Sequence, residues 1–310
     1  MQIPKLIATS VVRGSQQGES HGGVYTIDFE SQVVEQHIDW NTGDIDFAGR
    51  GADRGLRGID FDGDDIFIAA SDELFCYDRD FRIRRSYRNP FLKHCHEICR
   101  KDRKIILTST GFDSLLAFDL DELTFVWGLQ LSRDTNGIWN GQVFDPASSQ
   151  GPGPRNQSHI NSTFVDDKGI YVSGLHTGAL LHISSNNEVR EFCSLPLGAH
   201  NAQPFREGVL FNDTANNHVR FAAPDVAVSM PIVTYPNADL LFSGVDDSNV
   251  ARQGFGRGLT FLSESVVAAG SSPSTISVYD LDQGRCVDAV NISMDIRNAI
   301  HGLEIWPYDD

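Results

Sequence analysis

The chain has 310 residues, 40% of them hydrophobic and 22% charged, which is typical of a soluble globular protein and unlike disordered, collagenous or coiled-coil chains. Its 42 acidic and 25 basic residues give a formal net charge of −17, which disfavours partners such as nucleic acid or an anionic membrane. No apolar run approaches the roughly 18 residues that span a bilayer, and the apolar stretch near the N-terminus has no signal-peptide cleavage site. The five cysteines show no framework spacing, so we expect reduced thiols and a cytoplasmic protein.

Short β-strands follow one another along the whole chain, and helical periodicity is nearly absent. The chain opens on three predicted strands, KLIATSVV, GGVYTIDF and QVVEQHI. Five segments of one pattern follow, each with an opening His or Arg, three strands joined by tight turns, and a fourth strand. These segments begin at Arg57, His96, His159, His200 and Arg257.

The sixth copy of the repeat is divided between the two ends of the chain. The C-terminal HGLEIWPYDD supplies only an opening strand, and the three N-terminal strands supply the rest. Pairing of the last strand with the first ones would close a circle and protect the sheet edges. We therefore predict an all-β, six-bladed β-propeller with four antiparallel strands per blade, as a single domain over residues 1–310. A β-sandwich is the alternative, but it would not produce six aligned repeats.

Four phrases carry a resemblance to known proteins: HEI with TSTGFDSLLAFDLD (94–121), HINSTF (159–164), HNAQPF (200–205) and GFGRGLTF (254–261). With them the chain resembles six-bladed propellers of the NHL and gluconolactonase-like kind and, more closely, a bacterial propeller family without assigned chemistry. The resemblance covers most of the chain and implies the architecture. The residues that bind calcium in gluconolactonase-like enzymes are not recognisable here.

The opening residues of the repeats are the candidate site, because the first strand of each propeller blade lines the central channel. Strand alternation puts His94 and His96 on the same side, so either could face the axis. In the segment that begins at His159, the strictest alignment places Asn161 at the opening position and His159 two residues earlier, so Asn161 is a candidate substrate-binding residue. The six opening residues are Arg57, His96, His159, His200, Arg257 and His301.

Converging imidazoles have three interpretations. They can bind a divalent transition metal such as Fe, Zn, Mn or Cu, which predicts His96, His159, His200 and His301 as ligands. They can form a metal-free acid–base site in which arginines hold a carboxylate, sulfate or phosphate. They can also satisfy buried backbone groups without further function. The metal interpretation leads, and the arginines indicate an anionic or polar small-molecule substrate.

Long segments before first strands add candidate substrate-binding residues. The spacing of the repeats places insertions at 41–56, 132–158 and 234–256, all on the ligand face, where we expect lids. Their aromatic and basic residues include Trp139, Tyr235 and Arg252. The ends of second strands bring Asn212 and Asp213 toward the same face. The GFGRG run (254–258) does not match GxGxxG and gives little support to nucleotide binding.

The function predicted from these features is that of a metal-dependent enzyme acting on a small anionic or polar substrate. Lyase-type or other proton-transfer chemistry is favoured, with Arg57 and Arg257 holding the developing anion and His94 moving the proton. An iron oxygenase with four histidine ligands is the first alternative. A non-catalytic ligand-binding or scaffold propeller is the second.

Overall fold

A computed structural model describes residues 2–16, 18–41, 55–244 and 252–308. The predicted insertion 41–56 therefore lies almost entirely outside the described residues, as does 245–251 within the insertion 234–256. The described residues form β-strands and two single-turn 3-10 helices, with no α-helix among them. None of the described helices has the length and apolarity to cross a membrane.

The chain divides into two compact units. Unit 1 comprises Met1–Ile59 and Phe205–Asp310, and unit 2 comprises Asp60–Pro204. We number the sheets as blades 1 to 6 in chain order. Two strands, β4 of blade 2 and β17 of blade 5, lie across the points of division. That residues 1–310 form a single domain stays a prediction. A single cooperative unfolding transition of the whole chain would support it.

Unit 1 holds blade 1, blade 6 and the outer three strands of blade 5. Blade 1 has the strand order β25-β1-β2-β3, with β25 (Asn298–Ile305), β1 (Leu6–Val12), β2 (Gly23–Asp28) and β3 (Val33–Asp39). Blade 5 contains β17 (Ala199–Phe205), β18 (Gly208–Asp213), β19 (His218–Ala223) and β20 (Val226–Pro231). Blade 6 contains β21 (Leu259–Phe261), β22 (Val266–Ser271), β23 (Thr275–Asp280) and β24 (Arg285–Asn291).

Unit 2 holds blades 2, 3 and 4. Blade 2 contains β4 (Ile59–Asp62), β5 (Asp65–Ala70), β6 (Glu73–Tyr77) and β7 (Ile83–Arg88). Blade 3 contains β8 (Ile98–Lys101), β9 (Lys104–Ser109), β10 (Ser114–Asp119), β11 (Thr124–Arg133) and β12 (Trp139–Phe144). Blade 4 contains β13 (Ile160–Asp166), β14 (Gly169–Gly174), β15 (Ala179–Ile183) and β16 (Val189–Ser194).

The C-terminal strand completes the N-terminal blade, as predicted. β25 pairs antiparallel with β1, so that Leu6 lies opposite Ile305 and Ala8 opposite Leu303. Ile300 and Leu303 pack in one hydrophobic cluster with residues of blades 1 and 6. The pairing buries apolar side chains on both faces of β25 and covers an edge that β1 would otherwise expose.

Blade 3 has a fifth strand that the sequence did not predict. β12 pairs along β11, with Trp139 opposite Arg133, in a region expected to be a loop. Trp139 is buried in a cluster with Leu129 and Leu131, and the Arg133 guanidinium lies 5.7 Å from the centre of its ring. The prediction that Trp139 lies in a lid is therefore wrong, because it is part of the outermost strand of its blade.

Six sheets, each containing four consecutive antiparallel strands of the repeat, confirm the predicted fold class, a six-bladed β-propeller. Outer strands such as β3 and β7 are largely exposed, whereas the second and third strands of the blades are buried almost throughout. The predicted opening residues lie at the entry to the first strands. His200 and His301 are within β17 and β25, whereas the other four precede their strands by one or two residues: Arg57, His96, His159 and Arg257.

Candidate functional site

A threonine on the second strand holds the start of the first strand in two blades. In blade 1 the Thr9 hydroxyl donates to the carbonyl of Arg57 over 2.6 Å and accepts from the backbone N–H of Gly302 over 2.8 Å. In blade 3 the Thr108 hydroxyl accepts from the backbone N–H groups of both His96 and Glu97, each over 3.0 Å. These bonds satisfy backbone groups where the regular ladder is interrupted, so they set the direction of the neighbouring side chains.

The interruption in blade 1 is a β-bulge at His301 and Gly302. The register shifts there, because Ala8 pairs with Leu303 but Ser10 pairs with Ile300. A Cβ atom at Gly302 would lie 2.3 Å from the carbonyl oxygen of Arg57, so only glycine permits this approach. The bulge thus brings two predicted opening residues, Arg57 and His301, to neighbouring positions in unit 1, both of them buried.

Three arginines of unit 1 surround the ring of Phe255. The guanidinium carbons of Arg13, Arg252 and Arg257 lie 4.9, 5.5 and 4.7 Å from the ring centre. Arg13, Arg257 and Phe255 are almost fully buried. Arg252 is half-buried, and its burial lowers the pKa of its guanidinium. We call Arg13, Arg252, Arg257 and Phe255 the arginine cluster; it concentrates positive charge in an acidic protein.

The glycines of GFGRG explain how Phe255 and Arg257 reach this cluster. Gly254 and Gly258 have φ angles of +77° and +74°, a region that side chains rarely adopt. A Cβ at Gly256 would approach Ile232 Cδ1 to 2.8 Å. The alternating glycines let the chain fold tightly around two large side chains two residues apart. The run that does not fit a nucleotide motif therefore builds the arginine cluster.

His301 belongs with the arginines. Arg13 Nη2 donates to His301 Nε2 over 3.2 Å, so Nε2 carries the lone pair and Nδ1 the proton in this arrangement. A metal ion at Nε2 would have to displace Arg13. The other three predicted metal ligands, His96, His159 and His200, lie in unit 2. His301 therefore lies in contact with an arginine of the arginine cluster, and its role as a metal ligand stays a prediction.

Histidines of unit 2 form a second cluster. The ring centres of His96 and His159 are 5.4 Å apart, and those of His159 and His176 are 6.5 Å apart. His96 Nδ1 lies 2.8 Å from the carbonyl of His94 and 2.9 Å from the hydroxyl of Thr110. A carbonyl only accepts, so His96 Nδ1 carries the proton and Nε2 the lone pair. His94 thus contacts His96 through its backbone, and the catalytic role predicted for its side chain stays a prediction.

His200 shows the same arrangement in blade 5. Its Nδ1 donates to the carbonyl of Gly198 over 3.0 Å, which leaves the lone pair on Nε2. The next residue, Asn201, donates through Nδ2 to Glu97 Oε2 over 2.7 Å. Burial raises the pKa of Glu97 to about 8, although bonds from the Ile98 N–H and the Asn201 amide oppose the rise. Glu97 and Asn201 therefore link the starts of two first strands within unit 2.

Asn161 lies in a bulge at the start of β13. Ile160 pairs with Gly174 and Ser162 with Ser173, so Asn161 is the extra residue. Ile160 packs into a hydrophobic cluster of which Asn161 is not a member. Its side chain is only 3% exposed, yet neither Oδ1 nor Nδ2 has a hydrogen-bond partner among the described residues. Such a buried amide is uncommon in proteins and calls for an explanation.

The predicted residues of the second strand in blade 5 have structural partners. Asn212 Nδ2 donates to the carbonyl of Gly258 over 3.1 Å and so supports the loop that carries Arg257. Asp213 is buried, and its Oδ2 lies 2.9 Å from Arg220 Nε. It also accepts from the amide of Asn216. These contacts account for Asp213 as a turn residue, and the role of both residues in substrate binding stays a prediction.

The two remaining loop residues, Tyr235 and Arg252, lie in unit 1. The Tyr235 hydroxyl bonds to Thr275 Oγ1 over 3.1 Å, which attaches the loop to the turn before β23. Arg252 donates to Asn217 Oδ1 and to the carbonyl of Thr214. Arg252 is therefore anchored to the β18–β19 turn and presents its guanidinium to the Phe255 ring.

Sequence reasoning missed Arg13 and Phe255. Arg13 follows β1, and 288 residues separate it from His301 in the chain. Phe255 lies in the glycine-rich run GFGRG, whose residues carry no sequence signal for an arginine cluster. Among the described residues, no three or more His, Cys, Asp and Glu side chains form a group with metal-binding geometry.

Comparisons with solved structures show similar folds at low sequence identity. A chain of a nidogen–laminin complex matches with a TM-score of 0.58 and 10% identity, over 96% of this chain and 97% of that one. A protein of unknown function from Bacteroides caccae matches with 0.55 and 11%, over 97% and 98%. The C-terminal WD40 domain of Sif2 matches with 0.50 and 11%, over 95% and 89%.

Scans against protein-family models and against the curated proteins find no match. The structural likeness extends over nearly the whole of each chain, so it concerns the complete fold and not a single blade. At about 10% identity it concerns the fold alone. The chain is thus a β-propeller by fold, similar in structure to these proteins.

Proposed function

We propose that the protein binds a small anionic ligand at the arginine cluster of unit 1 and catalyses proton transfer on it. The observation that carries this proposal is the convergence of three guanidinium groups on one buried aromatic ring, with His301 bonded to Arg13. Guanidinium groups bind carboxylates and phosphates through two parallel hydrogen bonds, which favours ligands of that class.

The electrostatics of the cluster support an anion. The distances of 4.9, 5.5 and 4.7 Å from the ring centre put any two guanidinium carbons within about 10 Å of each other. Each pair then repels by roughly 1.7 kcal/mol or more at an effective dielectric constant of about 20. A cation–π contact returns about 0.5 to 2 kcal/mol. The two effects are similar in size, so an anion beside the cluster would add a net attraction.

The reaction that fits this arrangement is of the lyase or isomerase kind. Arginines would hold a carboxylate and stabilise charge that develops on it, while a histidine takes a proton from the neighbouring carbon. His301 would take that proton once the anion accepts the Arg13 hydrogen bond in its place, which leaves the Nε2 lone pair of His301 available. A purely ligand-binding propeller would use the same arginines without proton transfer, and a histidine-ligated iron oxygenase would not need them.

The location that we propose is the cytoplasm. All five cysteines, Cys76, Cys95, Cys99, Cys193 and Cys286, are free thiols in the structure. Disulfides persist mainly in oxidising compartments, and thiols stay reduced in the cytosol. The free thiols therefore support this location.

Calorimetric titration with acetate, succinate, citrate, sulfate and inorganic phosphate at low ionic strength tests the binding. We expect at least one of these anions to bind, and Arg13→Ala or Arg257→Ala to weaken it about 10- to 100-fold, the effect of losing a charge-assisted hydrogen bond. Arg285→Ala is the matched control, because Arg285 is an exposed arginine of unit 1 that donates to Gln283, and its substitution removes the same charge.

Proton transfer is tested with acetate, succinate or citrate, whichever binds most tightly. Incubation in D₂O should exchange the hydrogens next to its carboxylate, seen by NMR, and His301→Gln should slow the exchange while binding persists. Binding without exchange would refute the enzymatic part and favour a ligand-binding protein. The absence of any binding at roughly 10 mM anion, or an equal loss in Arg285→Ala, would refute the anion site itself.

A further inference from the structure

The histidine cluster of unit 2 brings two imidazole rings, those of His96 and His159, close to the buried amide of Asn161. His96 is held by Nδ1, so its Nε2 lone pair is directed away from the backbone. Thr110, which bonds to His96, donates its own hydrogen to the carbonyl of Ile160, the residue before Asn161. His159 directly precedes Ile160 in the chain. These contacts tie His96, His159 and Asn161 into one small region at the start of β13.

We propose that His96, His159 and the Oδ1 atom of Asn161 bind one divalent first-row transition metal ion, with water completing the coordination. This site is independent of the arginine cluster, and its ligand set differs from the four histidines expected from the sequence. His301 is not among the ligands. Imidazole nitrogen and amide oxygen together suit Zn²⁺, Co²⁺, Mn²⁺ or Fe²⁺.

The spacing of the rings fits a shared ion. Imidazoles that bind one metal at about 2.0–2.1 Å place their ring centres roughly 5 Å apart when they meet near the tetrahedral angle. The observed separation of His96 and His159 is 5.4 Å. The arrangement of His96 is also typical of metal ligands, which donate the second ring N–H to a carbonyl or hydroxyl and are thereby fixed in direction.

The amide of Asn161 supplies the second, independent observation. The buried side chain lacks a partner for both polar atoms among the described residues, which costs free energy unless something else occupies the position. A metal ion would use Oδ1, and a water bound to that ion could accept from Nδ2. A set of two histidines and one amide contains fewer than three His, Cys, Asp or Glu groups, so it agrees with the absence of such a larger group from the described residues.

The test measures metal content in full-length protein purified without a histidine tag. Samples are stripped with chelator, incubated separately with Zn²⁺, Co²⁺ and Mn²⁺, desalted and analysed by mass spectrometry of the elements. We expect about one equivalent of at least one metal, and a Co²⁺ absorption spectrum typical of nitrogen and oxygen ligands. His96→Ala and Asn161→Ala should each lower the affinity at least tenfold.

Two control variants separate this site from other histidines. His182→Ala removes a histidine of blade 4 that bonds to the carbonyl of Lys168, and His301→Ala removes the histidine bonded to Arg13. Both should keep the metal content of the unmodified protein, and circular dichroism should show that all variants are folded. Less than about a tenth of an equivalent of every metal would overturn the proposal. Retention in Asn161→Ala, or loss in His301→Ala, would overturn the ligand set.

Discussion

Replacing Thr9 by valine removes one buried hydroxyl while almost preserving the volume of the side chain. In the structure this hydroxyl donates to the carbonyl of Arg57 over 2.6 Å and accepts from the N–H of Gly302 over 2.8 Å. Thr9 is fully buried, so water cannot take over either bond in the variant. The change therefore leaves two backbone groups unsatisfied where the predicted site residues Arg57 and His301 meet.

The expected cost follows from those two bonds. A buried donor or acceptor left without a partner costs about 1 to 3 kcal/mol, so the loss of both bonds in Thr9→Val should lower the free energy of unfolding by about 2 to 6 kcal/mol. Thr9→Ser keeps the hydroxyl and loses one methyl group, which should cost only about 1 kcal/mol. The two variants thus distinguish hydrogen bonding from packing.

Urea denaturation followed by circular dichroism measures this difference. If the hydroxyl supports the bulge, Thr9→Val is the less stable variant by about 2 kcal/mol, and the midpoint falls without a change in slope. The affinity for the anion identified by calorimetry should fall as well, because the bulge directs His301 toward Arg13. Equal stability of Thr9→Val and Thr9→Ser would refute this reasoning.

Two further predictions concern the closing strand and a buried thiol. Deleting residues 301–310 removes most of β25 and exposes the edge of β1, so the truncated chain should lose its cooperative unfolding transition; an unchanged melting temperature would contradict the role of this strand. Burial, with Asp65 nearby, raises the pKa of Cys76 to about 12, so iodoacetamide at about pH 8 should leave Cys76 unmodified in the folded protein and label it after unfolding. Peptide mass spectrometry checks this, and equal labelling of the folded and unfolded protein would count against the buried thiol.

The sequence by itself determined the architecture of this protein. Strand alternation and tight turns are local properties that can be recognised in the sequence. Their pattern occurs six times, including the copy divided between the chain ends, which predicts six blades. Within each unit, two opening residues of the repeats also lie close together. His96 lies beside His159 in unit 2, and Arg57 lies beside His301 in unit 1, because a repeat places equivalent residues at equivalent positions.

Only the tertiary structure decided which side chains each of those residues contacts. Arg13 contacts His301 although 288 residues separate them. The ring of Phe255 likewise brings Arg13 together with Arg252 and Arg257 of its own segment. Trp139 was expected in a lid and lies instead in an added outer strand. Its strand pairs with the exposed edge of β11, and this pairing cannot be recognised from the local sequence pattern. The repeat determines where in its blade a residue lies. Bulges, caps and long-range partners determine where its side chain points.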